Sequence, residues 1–453
     1  MKTFLDWSAY DTYGVGDAYA GIPATGGNYA KAVAVCMNNH QCQRDAKGVM
    51  CPSYRITHDP AHSTGARVAA FKAALNGDYG EDRFTHPDLA AAMDLCVSCK
   101  GCKKECPSAV DMTLIKTEYL AQRNAQLGVT RRTKLFAGLP RWLHRWWLPL
   151  WAVVRLRNAS PWVAKLGERW LGISARRPIP QIVDQPFVAE KSVSEARIGT
   201  SGGQRGKVLI FVDTFSHYYT PEVAEAAIKV LQAGGYAVEV LRPVADDAEP
   251  DRPLCCGRTY LSQGLVDAAK IEARRVMAAL KPALSEGTPI IGLEPSCLLA
   301  LRDEFYSLSL GAEIGQLSKQ VFLFEEFLMR EGNKGLKLDL KPVAGGRALV
   351  HGHCHQKAFG AMKSVRKVLG WIPEFEFEIV ESSCCGMSGS FGLEAEHYEA
   401  SQQMGELALL PAVRATPLDA PVIADGFSCR HQIKDGTGRQ AVHVAQLLAA
   451  ALA

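Results

Sequence analysis

The sequence predicts an α+β multidomain protein in which a helical, cysteine-rich N-terminal domain precedes a duplicated α/β domain with parallel sheets. Three observations lead to this prediction. Seven cysteines lie between Cys36 and Cys106, and seven more follow residue 250. Apolar residues recur at helical spacing in the first third, whereas strands and helices alternate after residue 207. The sequence Cys-Cys-Gly occurs at Cys255 and again at Cys384, which indicates an internal repeat.

These changes of pattern divide the chain into four predicted segments. They are a helical domain at 1–130, a Trp- and Arg-rich helical connector at 131–195, a first Cys-Cys-Gly repeat at 205–335 and a second at 340–453. A charged, Ser- and Gly-rich linker, Glu190–Lys207, leads into the first repeat.

Each segment has its own predicted elements. The first domain is expected to contain the helices Arg67–Leu75, Leu89–Leu95 and Thr113–Leu127. In the connector, Pro149 and Pro161 are expected to divide the chain into short helices. The first repeat reads as strand Val208–Val212, helix Pro221–Ala233, strand Ala237–Leu241, helix Leu265–Leu280 and strand Pro289–Leu293. The second reads as strand Ala348–His351, helix Met362–Leu369, strand Phe375–Val380, helix Ala395–Leu410 and strand Pro421–Ala424.

Composition narrows the class of protein. The 453 residues include 22% charged side chains with a net charge of +4, which gives no support for nucleic-acid binding. Met1-Lys2 opens no signal peptide, and no run of 18 uncharged apolar residues occurs, so we expect a cytoplasmic protein. Thiols stay reduced in that compartment, and grouped cysteines there bind metal or carry out redox chemistry.

The most specific motif is Cys96-Val-Ser-Cys99-Lys-Gly-Cys102-Lys-Lys-Glu-Cys106-Pro107. It has the C-x2-C-x2-C-x3-C-P spacing of bacterial-type ferredoxins, in which three thiolates bind one [4Fe–4S] cluster and the fourth binds the other cluster. Structural zinc sites use two separated C-x2-C pairs instead. We therefore predict a two-cluster, ferredoxin-type domain.

A second cysteine group supplies the other half of this domain. Cys36 and Cys42 are followed by Cys51-Pro52, and Asn39 stands where the middle cysteine of the motif is expected. The crossed rule then assigns Cys51 to the Cys96, Cys99 and Cys102 cluster, and Cys106 to the Cys36 and Cys42 cluster. The fourth ligand of this second cluster is left open between Asn39, His40, water and none, and a [3Fe–4S] centre fits as well.

The two repeats differ in their cysteines. Four thiols of the second repeat follow successive strands, where parallel sheets place their sites, and predict a third cluster or zinc. They are Cys354, Cys384, Cys385 and Cys429. The first repeat has three, with Asp213-Thr214-Phe215 in place of His353-Cys354-His355, so it is degenerate and its metal binding stays open. These three are Cys255, Cys256 and Cys297.

The sequence also contains a group of histidines and two pairs of basic residues. His351, His353 and His355 alternate along a predicted strand end, where they serve as ligands or proton carriers or, as we favour, hydrogen-bond thiolates and carbonyls. The pairs Lys103-Lys104 and Arg131-Arg132 are expected to be solvated.

Six of the eight tryptophans lie between Trp142 and Trp170, interleaved with arginines. Two interpretations stay open. One is a peripheral contact with the inner face of a membrane, because Trp and Arg together favour the headgroup layer. The other, which the sequence favours, is a set of helices packed against the first domain or a partner subunit.

The motifs together resemble the iron–sulfur portion of FAD-linked D-2-hydroxyacid dehydrogenases, such as the D-lactate and D-2-hydroxyglutarate enzymes. The resemblance rests on the Cys36 to Arg55 segment, on His62-Ser63-Thr64 and on the four-cysteine run. The second repeat, through Ser383–Gly392 and Gly426–Arg430, is similar to Cys-Cys-Gly domains. Such domains also occur in heterodisulfide reductase and in the iron–sulfur subunits of glycolate oxidase and anaerobic glycerol-3-phosphate dehydrogenase.

Two departures from these families matter. Gly65-Ala66-Arg67 replaces an Arg-Gly-Arg that follows His-Ser-Thr in the dehydrogenases. Heterodisulfide reductase carries a further cysteine in a final C-x2-C, whereas Arg430, His431 and Gln432 follow Cys429 here. The second repeat is therefore expected to hold a single cubane or zinc rather than a double cluster.

The resemblance implies an electron-transfer role. No G-x-G-x-x-G follows a predicted strand, so FAD is expected on a partner dehydrogenase subunit. That partner would pass electrons through this chain to quinone, electron-transfer flavoprotein or another acceptor. Two alternatives are a thiol–disulfide oxidoreductase like heterodisulfide reductase and a non-catalytic redox sensor or scaffold. The sequence does not identify a catalytic residue.

Overall fold

Helices build the first third of the protein. The computed structural model describes residues 1–13, 21–45, 48–189 and 205–453, so most of the predicted linker lies outside the described residues. The first seven helices, α1 to α7, are Asn28–Ala34, Pro52–Thr57, Thr64–Asn76, Pro87–Asp94, Gly101–Glu105, Met112–Leu127 and Arg131–Ala137. The three helices predicted for this domain are confirmed as α3, α4 and α6.

The connector contains two longer helices, α8 (Leu139–Ala159) and α9 (Pro161–Leu171). Pro161 begins α9, as expected. The division expected near Pro149 is present as a kink: Leu139–Ala159 consists of two helical pieces that meet at Trp146, three residues before the proline. The backbone at Trp146 leaves helical geometry, with φ −136° and ψ 25°. This irregular turn gives room to the proline ring, which would otherwise clash with the preceding turn.

The first repeat is built on a parallel four-stranded sheet with the order β2-β1-β3-β4. Its strands, β1 to β4, are Gly206–Phe211, Tyr236–Val240, Ile290–Gly292 and Val321–Leu323. Its helices, α10 to α16, are Thr214–Tyr218, Pro221–Ala233, Arg258–Leu261, Val266–Glu286, Pro295–Arg302, Ile314–Gln320 and Phe324–Gly332. The sequence pattern missed β4.

The second repeat has the same topology on a smaller sheet of order β6-β5-β7, again parallel. Its strands, β5 to β7, are Ala348–His351, Phe377–Ile379 and Val422–Ala424. Its helices, α17 to α22, are Cys354–Ala358, Met362–Leu369, Tyr398–Glu406, Leu409–Ala415, Phe427–Thr437 and Val444–Ala451. A single bridge between Ile423 and Val442 stands where β4 lies in the first repeat.

One predicted helix of this repeat is wrong. The segment Ala395–Leu410 contains a short 3-10 turn and α19, and a new helix, α20, starts at Leu409. Pro411 explains the break. Its nitrogen has no hydrogen to donate to the preceding turn, and its ring would clash with the carbonyl of residue 407 if one helix continued.

The two repeats share one apolar core. Side chains of β1 and β3, such as Ile210 and Ile291, and of β5 and β7, such as Val350 and Ile423, belong to the same buried cluster. Helices α11 and α22 contribute to it from both repeats. Neither sheet buries its apolar face alone, so the repeats form one α/β body. Among the described helices, none combines the length and apolar character needed to cross a membrane.

Candidate metal centres

The two N-terminal cysteine loops have the same backbone shape. Asn38 and His40 have positive φ values of 52° and 55°, and Ser98 and Lys100, at the equivalent places, have 50° and 62°. Non-glycine residues pay a strain cost in this region, so such residues are retained where a site requires the turn. The match places Asn39 at the position of the second cysteine of the four-cysteine run, as the sequence predicted.

One small cavity is lined by the three cysteines of the second cluster group, in which Asn39 replaces a cysteine. Cys36, Cys42 and Cys106 line it together with Asn39 and His40. The Asn39 side-chain amide donates to Cys106 Sγ at 3.8 Å. Cys106 thus lies with the cysteines of the other half of the domain, and both side chains considered as a fourth ligand face the same space.

Helix α3 directs its N-terminal amides at two sulfurs. The Thr64 N–H donates to Cys51 Sγ and the Gly65 N–H to Cys42 Sγ, each at 3.3 Å. A helix N-terminus favours negative charge and so supports a thiolate at Cys42, whereas the hydrogen bond with Cys42 and burial raise the pKa of Cys51 well above its usual value. A hydrogen bond with the Cys51 thiol, assisted by the Gly65 amide, lowers the pKa of Cys42 to about 5. Cys51 therefore lies between the two predicted cluster groups and contacts Cys42.

Buried cations accompany the Cys96 group. Burial disfavours the Cys96 thiolate, but the charges of Arg67 and Lys116 outweigh it and lower the pKa of Cys96. Arg67 is buried, and its guanidinium donates to the Ala92 carbonyl at 2.9 Å. The Lys116 ammonium donates to the Cys96 carbonyl at 2.5 Å. These buried cations were missed at the sequence level, where only the cysteines followed a known spacing.

The four thiols of the second repeat meet in the structure. The Cys384 thiol hydrogen-bonds with Cys354 and Cys385, and the Cys429 thiol with Cys385. These bonds from neighbouring thiols lower the pKa values of Cys354 and Cys385 well below the usual value. All four are buried and follow β5, β6 and β7, so the carboxyl ends of three strands bring together a tetrathiol set.

A glycine allows this close approach. Gly386 has φ +90°, and a Cβ there would lie 2.2 Å from the Ser401 carbonyl oxygen. Its amide donates to Cys384 Sγ at 3.4 Å. In the first repeat Gly257 has φ +76° and donates to Cys255 Sγ at the same distance. The Cys-Cys-Gly motif is thus one turn used twice, in which the glycine amide hydrogen-bonds the first sulfur.

The three histidines do not share a strand face, because β5 ends at His351 and His353 already caps helix α17. The Cys354 thiol lies 4.0 Å from His353 Nδ1, and His355 Nε2 lies 3.2 Å from the Ser98 carbonyl. The predicted contacts with a thiol and a carbonyl are thus present for His353 and His355, whereas His351 Nδ1 lies 2.9 Å from the Ser382 hydroxyl. Burial opposes charge on His353, but Cys354 and Glu294 raise its pKa to about 9.

The first repeat brings together three thiols with a different environment. Cys256 hydrogen-bonds with both Cys255 and Cys297. Thr214 begins α10 as Cys354 begins α17, so a hydroxyl stands where the second repeat has its fourth thiol. A thiol–thiol bond and burial raise the pKa of Cys255 well above the usual value. This group favours neutral thiols.

The dicluster loops and the second repeat share a buried wall. Val49, Val97 and Cys99 pack in one apolar cluster with Cys354 and Cys384. Hydrogen bonds tie the same backbone together: the Ser383 hydroxyl donates to the Val49 carbonyl at 2.6 Å, and the Ser388 hydroxyl to the Val97 carbonyl at 2.5 Å.

A cavity of about 500 Å³ opens beside this wall. Its lining includes Cys96, Cys354, Cys384 and Cys385 together with His353. A small molecule therefore has room next to both cysteine groups.

A buried ion network joins the dicluster loop to the first repeat. The Lys100 ammonium pairs with Asp303 and lies 2.7 Å from a Glu304 oxygen. Lys103 pairs with Asp303 and with Asp111, the latter at 2.7 Å. Lys103 is therefore not a solvated side chain, contrary to the prediction, because the first repeat covers this side of the loop. Lys104 is exposed, as expected.

A carboxylate and histidine group, Glu325, Asp425 and His443, is close enough to hold a metal ion. Its polar atoms have other partners: His443 Nδ1 accepts from the Ala445 amide at 3.0 Å, and Asp425 accepts from the Gln356 side chain at 2.7 Å. Burial and Asp425 raise the pKa of Glu325 well above the usual value, so a neutral carboxyl accounts for the group without an ion.

These thiol groups fit iron–sulfur ligation, because buried thiols receive amide hydrogen bonds and, at Cys96, neighbouring cations favour the thiolate. The comparison with known families agrees: residues 32–110 match the family described as "4Fe-4S dicluster domain". The N-terminal part is a 4Fe-4S dicluster domain. Helices α2 to α5 and both cysteine loops lie within these matched residues, which begin inside α1.

Similar proteins extend the comparison beyond the dicluster domain. D-2-hydroxyglutarate dehydrogenase of Escherichia coli K12 is 25% identical over 464 residues, covering 89% of this chain and 42% of that protein. A subunit of the anaerobic glycerol-3-phosphate dehydrogenase of the same strain is 28% identical, covering 67% of this chain and 73% of that protein. Lactate utilization protein A of Bacillus velezensis is 24% identical, covering 44% of this chain and 79% of that protein.

The chain thus spans less than half the length of the D-2-hydroxyglutarate dehydrogenase. No solved structure is significantly similar. The resemblance seen in the cysteine motifs is confirmed: the chain is similar to a dehydrogenase of this group and to a subunit of another dehydrogenase.

Replacing Lys100 with methionine is expected to destabilise the protein. Lys100→Met would leave Asp303 and Glu304 buried with less compensating charge, a loss of about 3 kcal/mol or more. Thermal unfolding under anaerobic conditions measures it. Lys104→Met, a change of the same type at an exposed neighbour, is the control and should leave the unfolding temperature unchanged. Equal unfolding temperatures for both variants would contradict the role of the network.

A second prediction concerns pH. Burial opposes charge on His397, but hydrogen bonds to Asp94 and Glu394 raise its pKa to about 9. The histidine of the unfolded chain titrates near about 6.5, so the stabilisation is complete below that pH and is lost as the pH rises through 9. Thermal unfolding between pH 6 and about 10 should show this loss. His397→Gln, which cannot be charged, should lack it, and an identical pH profile in both proteins would refute the assignment.

Proposed function

We propose that this chain is the iron–sulfur electron-transfer component of an FAD-linked dehydrogenase that oxidises a D-2-hydroxyacid of the D-lactate, D-2-hydroxyglutarate or glycolate type. FAD would lie on a separate subunit. The electron acceptor would be quinone or an electron-transfer flavoprotein, and the protein would contact the membrane peripherally. The observation that carries the proposal is the buried wall shared by Cys99 of the dicluster domain and Cys354 of the second repeat.

The residues that would hold the cofactors follow from the thiol groups. Cys96, Cys99, Cys102 and Cys51 would hold one cubane, and Cys36, Cys42 and Cys106 the other centre, with Asn39 or His40 beside it. The second repeat would hold a further cluster or zinc through Cys354, Cys384, Cys385 and Cys429. Bound iron–sulfur clusters supply one-electron transfer.

The protein's own groups set the conditions for that chemistry. Lys357 is buried at its ammonium end and donates to the Ser382 carbonyl at 2.6 Å and the Ser383 carbonyl at 3.3 Å, next to the double cysteine. A cation here would offset part of the negative charge of four thiolates, whereas the first repeat has the buried carboxyl of Asp213 near Cys297; Glu294 lies near thiols of both repeats. The two repeats would therefore differ in metal binding although their backbones correspond.

A second candidate function, thiol–disulfide oxidoreduction, is favoured by one observation. The large cavity reaches Cys384 and Cys385, so a disulfide substrate has access to the second repeat. Turnover of a disulfide by the isolated chain would distinguish this function from electron transfer within a flavin-containing complex.

Metal analysis tests the cofactor assignment. We expect Cys429→Ser to lose the metal of the second repeat. If that metal is a [4Fe–4S] cluster, the variant loses about four of about twelve irons. If it is zinc, the variant loses one zinc and keeps all of its about eight irons. Cys297→Ser is the matched control, because it changes the equivalent cysteine of the first repeat, and it should lose none. Iron, acid-labile sulfide and zinc are measured on anaerobic protein, with EPR after reduction. Equal losses in both variants, or colourless wild-type protein without sulfide, would contradict the assignment.

Electron transfer is tested with a native complex. Tagged chain purified anaerobically from its own cells should carry an FAD-containing protein, and a D-2-hydroxyacid should then produce the EPR signals of reduced clusters. The L-enantiomer of the same acid is the control and should produce none, since the flavin subunit would select the enantiomer. Turnover of a disulfide by the isolated chain would instead support the second candidate. Signals that respond only to oxidants, without a flavin partner, would indicate a redox sensor.

A further inference from the structure

Helices α8 and α9 expose apolar side chains that the proposed function does not use. On α9, Trp162, Leu166 and Trp170 follow one another at intervals of four residues and are 72%, 42% and 68% exposed. They therefore form one stripe along this helix. On α8, Trp142 and Trp146 are also exposed, at 43% and 48%.

The opposite side of α8 explains how these helices are held. Leu143, Trp147, Leu150 and Val154 pack in a cluster with Tyr218 of the first repeat. This side of α8 thus packs on the first repeat, whereas the sequence favoured packing against the first domain or a partner subunit. The same helix carries a second, exposed apolar side, which includes Trp146, Val153 and Leu156.

Charge distinguishes this surface from the rest of the chain. Helices α8 and α9 contain six arginine and lysine residues and one acidic residue. Arg157 is buried and Arg141 lies 3.6 Å from Glu249, so the exposed cations of this surface are Arg145, Arg155, Lys165 and Arg169. Lys165 and Arg169 each precede an exposed apolar residue of the α9 stripe and are themselves exposed. The Arg145 guanidinium lies 5.6 Å from the ring of Trp146.

We infer that the exposed faces of α8 and α9 form a lipid-binding surface that inserts its tryptophans among the headgroups of an anionic membrane. Tryptophan rings favour the interface, and arginine and lysine extend their charged ends toward lipid phosphates while their stems cover apolar surface. The complementary charges of this surface and an anionic leaflet support a membrane as its occupant. The inference specifies which residues make the peripheral membrane contact of the proposed function. It rests on that function for the premise that the electron acceptor lies in the membrane.

The test uses the full chain, purified anaerobically, and sedimentation with vesicles of phosphatidylcholine alone or with phosphatidylglycerol. We expect binding to the anionic vesicles that weakens with added salt. The double variant Trp162→Ser and Trp170→Ser should bind at least about tenfold more weakly, because it removes two aromatic anchors from the headgroup layer. Lys165→Gln with Arg169→Gln should reduce binding to anionic vesicles and remove part of the salt dependence.

Leu418→Ser is the matched control, since Leu418 is 88% exposed outside these helices. It should bind vesicles as the wild type does. Wild-type protein that binds neither vesicle, or tryptophan variants that bind unchanged, would overturn the inference. Loss of a co-purifying dehydrogenase subunit in the tryptophan variants, without vesicle binding by the wild type, would identify the surface as a protein interface instead. Iron content and substrate-driven EPR signals are independent of all these results, so a failure here is distinguishable from failure of the proposed function.

Discussion

The cost of burying ionisable sulfur governs the arrangement of this protein. Of its 14 cysteines, 11 are buried and three are half-buried, so water cannot stabilise most of their thiolates. Part of the compensation comes from the protein at the candidate metal-binding groups: amides of helix α3 at Cys42 and Cys51, the cations Arg67 and Lys116 at Cys96, and Lys357 beside the second repeat. Burial still raises the pKa values of Cys99 and Cys102.

The two repeats of the duplicated domain share a backbone but differ in the groups that surround their buried thiols. Both repeats use one parallel topology and one Cys-Cys-Gly turn, in which Gly257 and Gly386 adopt positive φ and donate an amide to the first sulfur. The chemistry differs because single residues differ. Thr214 replaces the fourth thiol, and Glu294 stands at the helix cap that Gly426 occupies in the second repeat. The two repeats thus share one backbone fold, and the side chains at the strand ends make their thiol groups different.

The dicluster domain is held against both repeats by polar contacts on opposite sides of the cysteine loops. Lys100 pairs with carboxylates of the first repeat, and His397 of the second repeat bridges Asp94 of the dicluster domain and Glu394 of its own repeat. Between them, serine hydroxyls donate to the backbone that carries the cysteines. This joint keeps the two cysteine groups in one apolar cluster, as the proposed electron transfer between them would require.

The sequence alone determined the cysteine groups, the repeat and the parallel order of its elements, because metal-ligand spacing and hydrophobic periodicity are local properties of the chain. It even placed Asn39 at the position of the missing cysteine. The tertiary structure decided what depends on distant partners: the burial of Lys100 by the first repeat, the cations around Cys96, the shared wall of Cys99 and Cys354, and the exposed second face of α8. Local pattern also failed where one residue outweighed periodicity, as at Pro411. Charge compensation and burial are sums over neighbours from the whole fold, and no window of sequence contains those neighbours.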